Sequence, residues 1–347
     1  MRVCSLFSGI GGIDLAFRQA GFDIVWANEI DKYASDTYEH NFGSEALVRG
    51  NIKKIDTSII PEYDVLVAGF PCQAFSTAGK QRGFDDDRGD LFFQVARVVE
   101  ATKPKVIFLE NVANLLEHDE GKSFLTVYNA LAPLGYSFKY QVMEPYEYGN
   151  IPQTRARIFI VGFCDDAECF KFLFPEKIEL TQTLGTMFDR SEKHSECYYY
   201  GKDHYFYNDL QKYVNRKDCI YKIFDWGFNK KPYELCPALT AYMEKCLERV
   251  PIILDDYGIR RLTPYECLKL QGFPDDYKFA PGTPMRKAYK QVGNSVCVPV
   301  IRRIAEQIKK VMKLKLMSVT VIPQLTKNTN RKQRTTQKRS GQRQTMA

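Results

Sequence analysis

VCSLFSGIGGIDLAFRQAGFDIVWANE, residues 3–29, decides the fold. It opens on an apolar run, Val3–Phe7, and passes through Gly9, Gly11 and Gly12. It then continues as a helical pattern over Gly12–Ala20 and returns to an apolar run at Ile24–Ala27. Short β-type runs alternating with helical patterns are the mark of parallel strands joined by crossover helices. The alternation repeats outward: Val65–Ala68 and Val106–Leu109 read as further strands, and Lys32–Asn41, Leu91–Thr102 and Ser123–Leu134 as helices. The pattern predicts an α/β fold with a doubly wound, mostly parallel sheet whose ligands sit outside the carboxyl ends of the strands. Phe138–Met143 and Ile158–Phe163 have no helix between them and are expected as an antiparallel pair at the sheet edge.

From about Phe170 to Tyr257 the periodicity is lost and aromatic residues crowd in, which marks a second, smaller domain. TPYECLKLQGF reads as a capped helix. Pro299 opens another, with Val300, Ile301, Ile304, Ile308 and Val311 at helical spacing, expected to pack back on the first domain. The resulting division is 1–168, 169–280, a returning segment 281–316 and a basic, flexible tail 317–347.

A chain of 347 residues with 44% hydrophobic and 26% charged residues is globular in composition, which excludes a wholly disordered or collagen-like protein. No apolar run reaches the ~18 residues of a membrane span and no signal-peptide plan opens the chain, so a soluble cytoplasmic protein is expected. Ten cysteines are scattered without a C-x-x-C pair, which argues against a zinc site or a disulfide framework, and no metal is expected. The formal charge of +7 is local: eleven of the 49 Lys and Arg lie from Gln307 onward with no acid among them. Residues 1–306 therefore hold 38 bases against 42 acids, a net of −4. A nucleic-acid site on the body has to be a local basic face.

Four segments carry chemistry. In LFSGIGGIDLA the glycines let backbone approach a ligand closely, and Glu29, twenty residues past Gly9, could accept hydrogen bonds from ribose hydroxyls. Together they suggest a nucleoside-bearing cofactor, although the spacing is not the dinucleotide G-x-G-x-x-G. In GFPCQAFS, Pro71 fixes the backbone just before Cys72, whose thiol stands among polar residues at the end of the third strand, as a nucleophile would. In VIFLENV, Glu110 closes a buried strand, a costly place for a carboxylate without a partner. In IPQTRAR, Arg155 and Arg157 alternate by two, which on a strand aims both guanidinium groups at one ligand.

In this order the segments resemble the cytosine-5 DNA methyltransferases of bacterial restriction–modification systems, from Leu6 to about Lys309. The match also takes in ANEIDKYASDTYEHNF, RGDLFF, RRLTPYECLKLQGFP and QVGNSV. The resemblance implies the S-adenosylmethionine-dependent methyltransferase fold and transfer of a methyl group to carbon 5 of a cytosine flipped out of duplex DNA. It implies a covalent Cys72 adduct, with Glu110 at ring nitrogen 3, Arg157 at the cytosine carbonyl and Arg155 supporting the same loop. Phe7, Gly9, Gly11, Glu29, Ile30, Pro71, Leu91, Asn294 and Val296 match cofactor-binding positions. The family's acid at the adenine amine falls on Asn51, whose amide oxygen can still accept that hydrogen bond. Gln73, Lys80 and Arg82 match DNA contacts, as do Leu239 and Thr240 in a target-recognition domain formed by the aromatic region. Further implications are a monomer acting on double-stranded DNA and an independent cognate restriction endonuclease.

Three other readings use the same residues. Some relatives with these motifs methylate transfer RNA; FPCQAFS and the sizeable recognition region favour DNA. A DNA-binding regulator without turnover conflicts with intact Cys72, Glu110 and Arg157. A nicotinamide-dependent oxidoreductase conflicts with the glycine spacing.

Overall fold

The computed structural model describes residues 1–70, 90–224 and 227–325, with side chains through Lys313. The chain begins β1 (Arg2–Leu6), α1 (Gly12–Gln19), β2 (Asp23–Glu29), α2 (Lys32–Phe42) and β3 (Leu47–Arg49). It continues β4 (Val65–Gly69), α3 (Asp90–Thr102), β5 (Val106–Val112), α4 (Lys122–Leu131) and β6 (Ser137–Met143). The short α5 (Pro145–Tyr148) and β7 (Gln153–Thr154) lead to β8 (Arg157–Phe163) and α6 (Asp166–Lys171). Next come α7 (Leu184–Met187), α8 (Tyr207–Tyr213), β9 (Ile220–Phe224), β10 (Gly227–Tyr233), β11 (Cys236–Pro237), β12 (Ile252–Leu254) and β13 (Ile259–Arg261). The chain then closes with α9 (Pro264–Lys269), α10 (Met285–Asn294) and α11 (Val298–Leu325).

Seven strands form one sheet in the order β3-β2-β1-β4-β5-β8-β6. Every neighbouring pair is parallel except those of β8, which runs antiparallel to both β5 and β6. The pair expected at the edge is present, with β6 outermost and β8 slotted inside it. The opposite edge, β3, has three residues, too few to give a periodic signal in sequence.

The strands are apolar throughout because both faces are covered. Val3, Val65, Val67, Phe108 and Val161 point to one face, where α1 brings Ala16 and Phe17 and α11 brings Ile301, Ile304 and Ile308. Their neighbours Cys4, Leu66, Ile107 and Ile160 point to the other, where α3 supplies Val95 and Val99 and α4 supplies Val127 and Leu131. The period of two along each strand thus sorts one run of apolar residues into two cores. Lys309 ties α11 to the end of α1, its Nζ donating to the carbonyls of Ala20 (2.6 Å) and Gly21 (2.9 Å).

A second sheet has the order β10-β9-β12-β13 and is antiparallel. Tyr200, Tyr221 and Phe228 are buried in a small cluster of its own, whereas Tyr205 is exposed. Yet Ile220, Cys236, Leu239, Ile253 and Leu262 belong to the same apolar cluster as Val3 and Phe17, so this region leans on the main core. Residues 264–280, grouped with it in sequence, pack on the first unit. The hydroxyl of Tyr277 donates to the Ile10 carbonyl, and Asn41 Nδ2 donates to the Lys278 carbonyl.

Helix α9 starts as expected, with Thr263 and Glu266 forming a reciprocal capping box behind Pro264. Helix α11 runs on to Leu325, past the boundary placed at residue 317. Between Pro299 and Pro323 no glycine or proline interrupts it, and extending a formed helix costs far less than starting one. Among the described residues no helix is long and apolar enough to cross a membrane.

Candidate active site

A cavity of about 390 Å³ opens at the carboxyl ends of β1, β2, β4 and β5, where the doubly wound topology predicts a ligand. The strands deliver wall residues at or just past their ends: Phe7 after β1, Glu29 from β2, Gly69 from β4, and Glu110, Asn111 and Val112 from β5. Leu91 lines it from α3, and Asn294 and Val296 from the end of α10.

Beyond β1 the backbone turns through left-handed conformations at Phe7 (φ 55°), Gly9 (φ 55°) and Gly11 (φ 80°). A non-glycine residue there is strained, and such strain collects at ligand sites. Gly9 donates its N–H to Glu29 Oε2 (2.8 Å), while Ile30 and Asp31 donate theirs to Oε1 (2.9 and 2.7 Å). Three backbone donors fix the carboxylate and leave acceptor capacity directed at other partners. Burial pushes the Glu29 carboxyl above its usual range, and those backbone N–H groups oppose the rise. Ile30 is 66% exposed at the cavity mouth, a large apolar side chain free to lie against a flat ring.

Glu110 is buried at the end of β5, in register with Gly69 of β4. Arg157 Nε lies 3.1 Å from its Oε1. Burial raises the Glu110 carboxyl above its ordinary value, and the charges of Arg157 and then Arg155 partly offset this. Next to it, Asn111 donates from Nδ2 to the Phe70 carbonyl (2.9 Å), anchoring the chain as it leaves β4. Pro71, Cys72, Gln73, Lys80 and Arg82 follow that anchor in sequence and lie outside the described residues.

The structure thus brings Phe7, Gly9, Glu29, Ile30, Leu91, Glu110, Arg157, Asn294 and Val296 to one cavity and corrects four expectations. Gly11 does not line it: a side chain there would strike the Phe42 ring at 2.4 Å, so this glycine serves helix entry and packing. Asn51 does not line it either; its Oδ1 accepts from Lys53 N–H (3.0 Å) as the cap of a short 3-10 turn. Arg155 and Arg157 do not aim at one ligand. The buried Arg155 guanidinium reaches the cavity wall, but its Nη1 and Nη2 donate to the carbonyls of Leu239 (2.5 Å), Ser295 (2.6 Å) and Gly293 (3.1 Å), while its Nε has no hydrogen-bond partner among the described residues. Leu239 is 1% exposed, so its side chain belongs to the core and not to a DNA contact, whereas Thr240 is exposed.

Sequence reasoning missed Asp31, Lys290, Gln291 and Ser295, which also line the cavity. Lys290 pairs with Asp31 (2.6 Å), and Asp31 also caps α2. The signal lay in QVGNSV, whose helical spacing turns Gln291 to the same side as Asn294 and Ser295.

A family model described as C-5 cytosine-specific DNA methylase matches residues 1–310. The Type II methyltransferase M.Bsp6I of Bacillus sp. (strain RFL6) is 45% identical over 315 residues, which span 90% of this chain and 99% of that protein. The Type II methyltransferase M.HhaI of Haemophilus parahaemolyticus is 38% identical over 312 residues, 89% of this chain and 94% of that one. Among solved structures, the Entamoeba histolytica methyltransferase EhMeth shares the fold with a TM-score of 0.72, over 90% of this chain and 98% of its own, at 21% identity.

Proposed function

We infer the reaction from membership: the chain belongs to the C-5 cytosine-specific DNA methylase family. It is an enzyme that methylates carbon 5 of cytosine in DNA. The observation that carries the finer reading is one cavity holding two buried carboxyl groups in different surroundings. Glu29 is fixed by backbone donors, and Glu110 stands beside a guanidinium.

The first carboxylate fits the adenosine of S-adenosylmethionine. Its unused acceptor capacity suits ribose hydroxyls, the exposed Ile30 suits a purine face, and among the described residues nothing beyond its chain neighbours stands within 4 Å of the place a Gly9 side chain would take. When bound, that cofactor supplies an electrophilic methyl group. The second carboxyl fits the base. Carbon 5 of cytosine is a poor nucleophile, so Cys72 adds as a thiolate to carbon 6 while Glu110 donates to ring nitrogen 3. The electron pair of the 5,6 double bond is thereby concentrated at carbon 5, which takes the methyl group. Loss of the carbon 5 proton to water then expels the Cys72 thiolate, and return of the ring nitrogen 3 proton to Glu110 restores both the ring and the acid. Burial keeps Glu110 a better proton donor near neutrality than an exposed carboxyl. Arg157 Nη1 donates to the Ala156 carbonyl (2.8 Å), and its remaining donors suit the cytosine carbonyl oxygen.

Residues 169–263, with the second sheet and exposed Thr240, serve as the target-recognition region, and swinging the base out of the duplex costs a few kcal/mol. The Type II relatives support a place in a restriction–modification system, and we read the chain as acting on DNA as a monomer.

The test is duplex DNA containing 5-fluorocytosine, incubated with S-adenosylmethionine. A denaturation-resistant adduct mapping to Cys72 is expected, and none with Cys72→Ala. Bisulfite sequencing of plasmid from an expressing host then gives the methylated site. Labelled methyl entering total RNA and not duplex DNA, or methyl transfer by Cys72→Ala at the wild-type rate, overturns this reading.

A further inference from the structure

Arg155 stands where the two halves of the proposed machinery meet. Its Nη1 donates to the Leu239 carbonyl (2.5 Å), in the segment that ends in exposed Thr240. Its Nη2 donates to the Gly293 (3.1 Å) and Ser295 (2.6 Å) carbonyls, on the turn that carries Asn294 and Val296 into the cavity. The two segments touch directly as well. A side-chain carbon at Gly293 would lie 2.2 Å from the Thr240 carbonyl carbon and 2.3 Å from the Ala241 nitrogen, both backbone atoms that cannot rotate aside. On its other side the turn abuts the glycine loop, since a side chain at Gly12 would meet Ser295 Oγ at 2.7 Å. A contiguous path therefore runs from the glycine loop through Ser295 and Arg155 to the backbone beside Thr240. A buried guanidinium bound to three carbonyls forces those carbonyls to move together or not at all.

We propose that Arg155 is a positioning residue that couples the cofactor wall to the target-recognition segment, so that binding on either side tightens binding on the other. This rests on the reading of the cavity and of Thr240 given above. The guanidinium fork suits the role: its donors sit on two nitrogens set apart in a fixed plane, one turned to the Leu239 segment and one to the 293–295 turn, whereas an ammonium has its three donors on one freely rotating nitrogen. Coupling of this kind is reciprocal, so one ratio measures it.

The measurement is the affinity for S-adenosylhomocysteine, the demethylated cofactor, with and without unmethylated duplex carrying the site found by bisulfite sequencing. The wild type is expected to bind it about tenfold more tightly with the duplex present, within the usual range for coupled sites. Arg155→Lys and, separately, Gly293→Ala are expected to bring that ratio to about twofold or less, whatever they do to either affinity alone. A purely structural role would weaken both affinities and leave their ratio intact. Hydrogen exchange on the wild type is the arm that needs no variant: S-adenosylhomocysteine alone should slow exchange at amides 239–243. A ratio of one in the wild type, a wild-type ratio in the variants, or unchanged exchange at 239–243 overturns the proposal. In each of those cases continued methyl transfer to DNA leaves the functional reading standing, whereas loss of Cys72-dependent transfer would instead remove the reading itself.

Discussion

Two buried glutamate–arginine pairs, one at the end of the main sheet and one behind the second sheet, are built from the same side chains and differ in how completely they are satisfied. Behind β13, Arg260 is sealed from solvent. Its Nε donates to Asp255 Oδ2 (2.5 Å), and Nη1 and Nη2 donate to the two oxygens of Glu266 (2.8 Å each). Glu266 in turn accepts from the Thr263 N–H (2.7 Å) in its capping box. In the cavity, Glu110 and Arg157 share one contact at 3.1 Å and keep partial access to solvent. A saturated pair is a joint, because any change leaves a buried charge alone. An unsaturated one has valences left for a substrate. The two places share a glutamate beside an arginine, and the fuller set of partners and the complete burial of Arg260 separate structure from chemistry.

Glu110→Gln should give the largest effect. It is expected to lower kcat by about 10²–10⁴ while moving stability by less than about 1 kcal/mol, read by methyl incorporation and by urea unfolding. In the wild type kcat/KM should fall as pH rises through the elevated titration of Glu110, because its protonated form is the donor. Glu266→Ala should do the reverse. It leaves Arg260 unpaired on one side and should cost about 3–5 kcal/mol of stability, with activity per folded molecule much less affected. Equal losses of activity and stability in both variants would erase the distinction.

A third buried carboxyl extends the contrast. Asp14 accepts from Ser5 Oγ (2.6 Å) and Tyr38 Oη (2.7 Å) and has no cation bonded to it among the described residues, and burial pushes it up to about 6 against those hydrogen bonds and the charge of Arg18. Its unfolded value is lower, so the stability it contributes is complete below about pH 4 and is lost as pH rises through 6, about 3 kcal/mol in all. Measured against Asp14→Asn, the wild type should lose that amount between pH 4 and pH 7; parallel stability curves would contradict it. Glu29→Gln comes next, weakening cofactor binding about tenfold in a titration without DNA. Lys309→Met should be smallest, within about 1 kcal/mol by thermal unfolding, because only two carbonyls at the end of α1 lose a donor.

The sheet was legible because strands buried on both faces are written as apolar runs, and Val65–Gly69 and Val106–Val112 could hardly be anything else. The site was legible wherever a residue ends such a strand, as Phe7, Glu29 and Glu110 do. Motif position alone does not say which way a side chain turns. Leu239 and Arg155 both sit in motifs, yet one faces the core and the other holds backbone, because tertiary packing chose their direction. Asn51 shows the same limit differently: its oxygen is taken by a local cap that spacing alone would not distinguish from a ligand contact. Lys290 and Asp31 meet from positions 259 residues apart, a separation at which no local pattern speaks.

That separation has a bearing on how the molecule is made. Tyr277 on the Ile10 carbonyl, Gln291 on Thr37, Lys290 on Asp31 and Lys309 on the end of α1 all join late sequence to early. During synthesis the glycine loop emerges from the ribosome long before the wall that completes its cavity. A nascent chain ending short of α10 has every described strand of both sheets but lacks the cavity wall that α10 and the turn after it supply. Such long-range closure is slow compared with local folding, and it delays function until almost the whole of the folded chain has been translated.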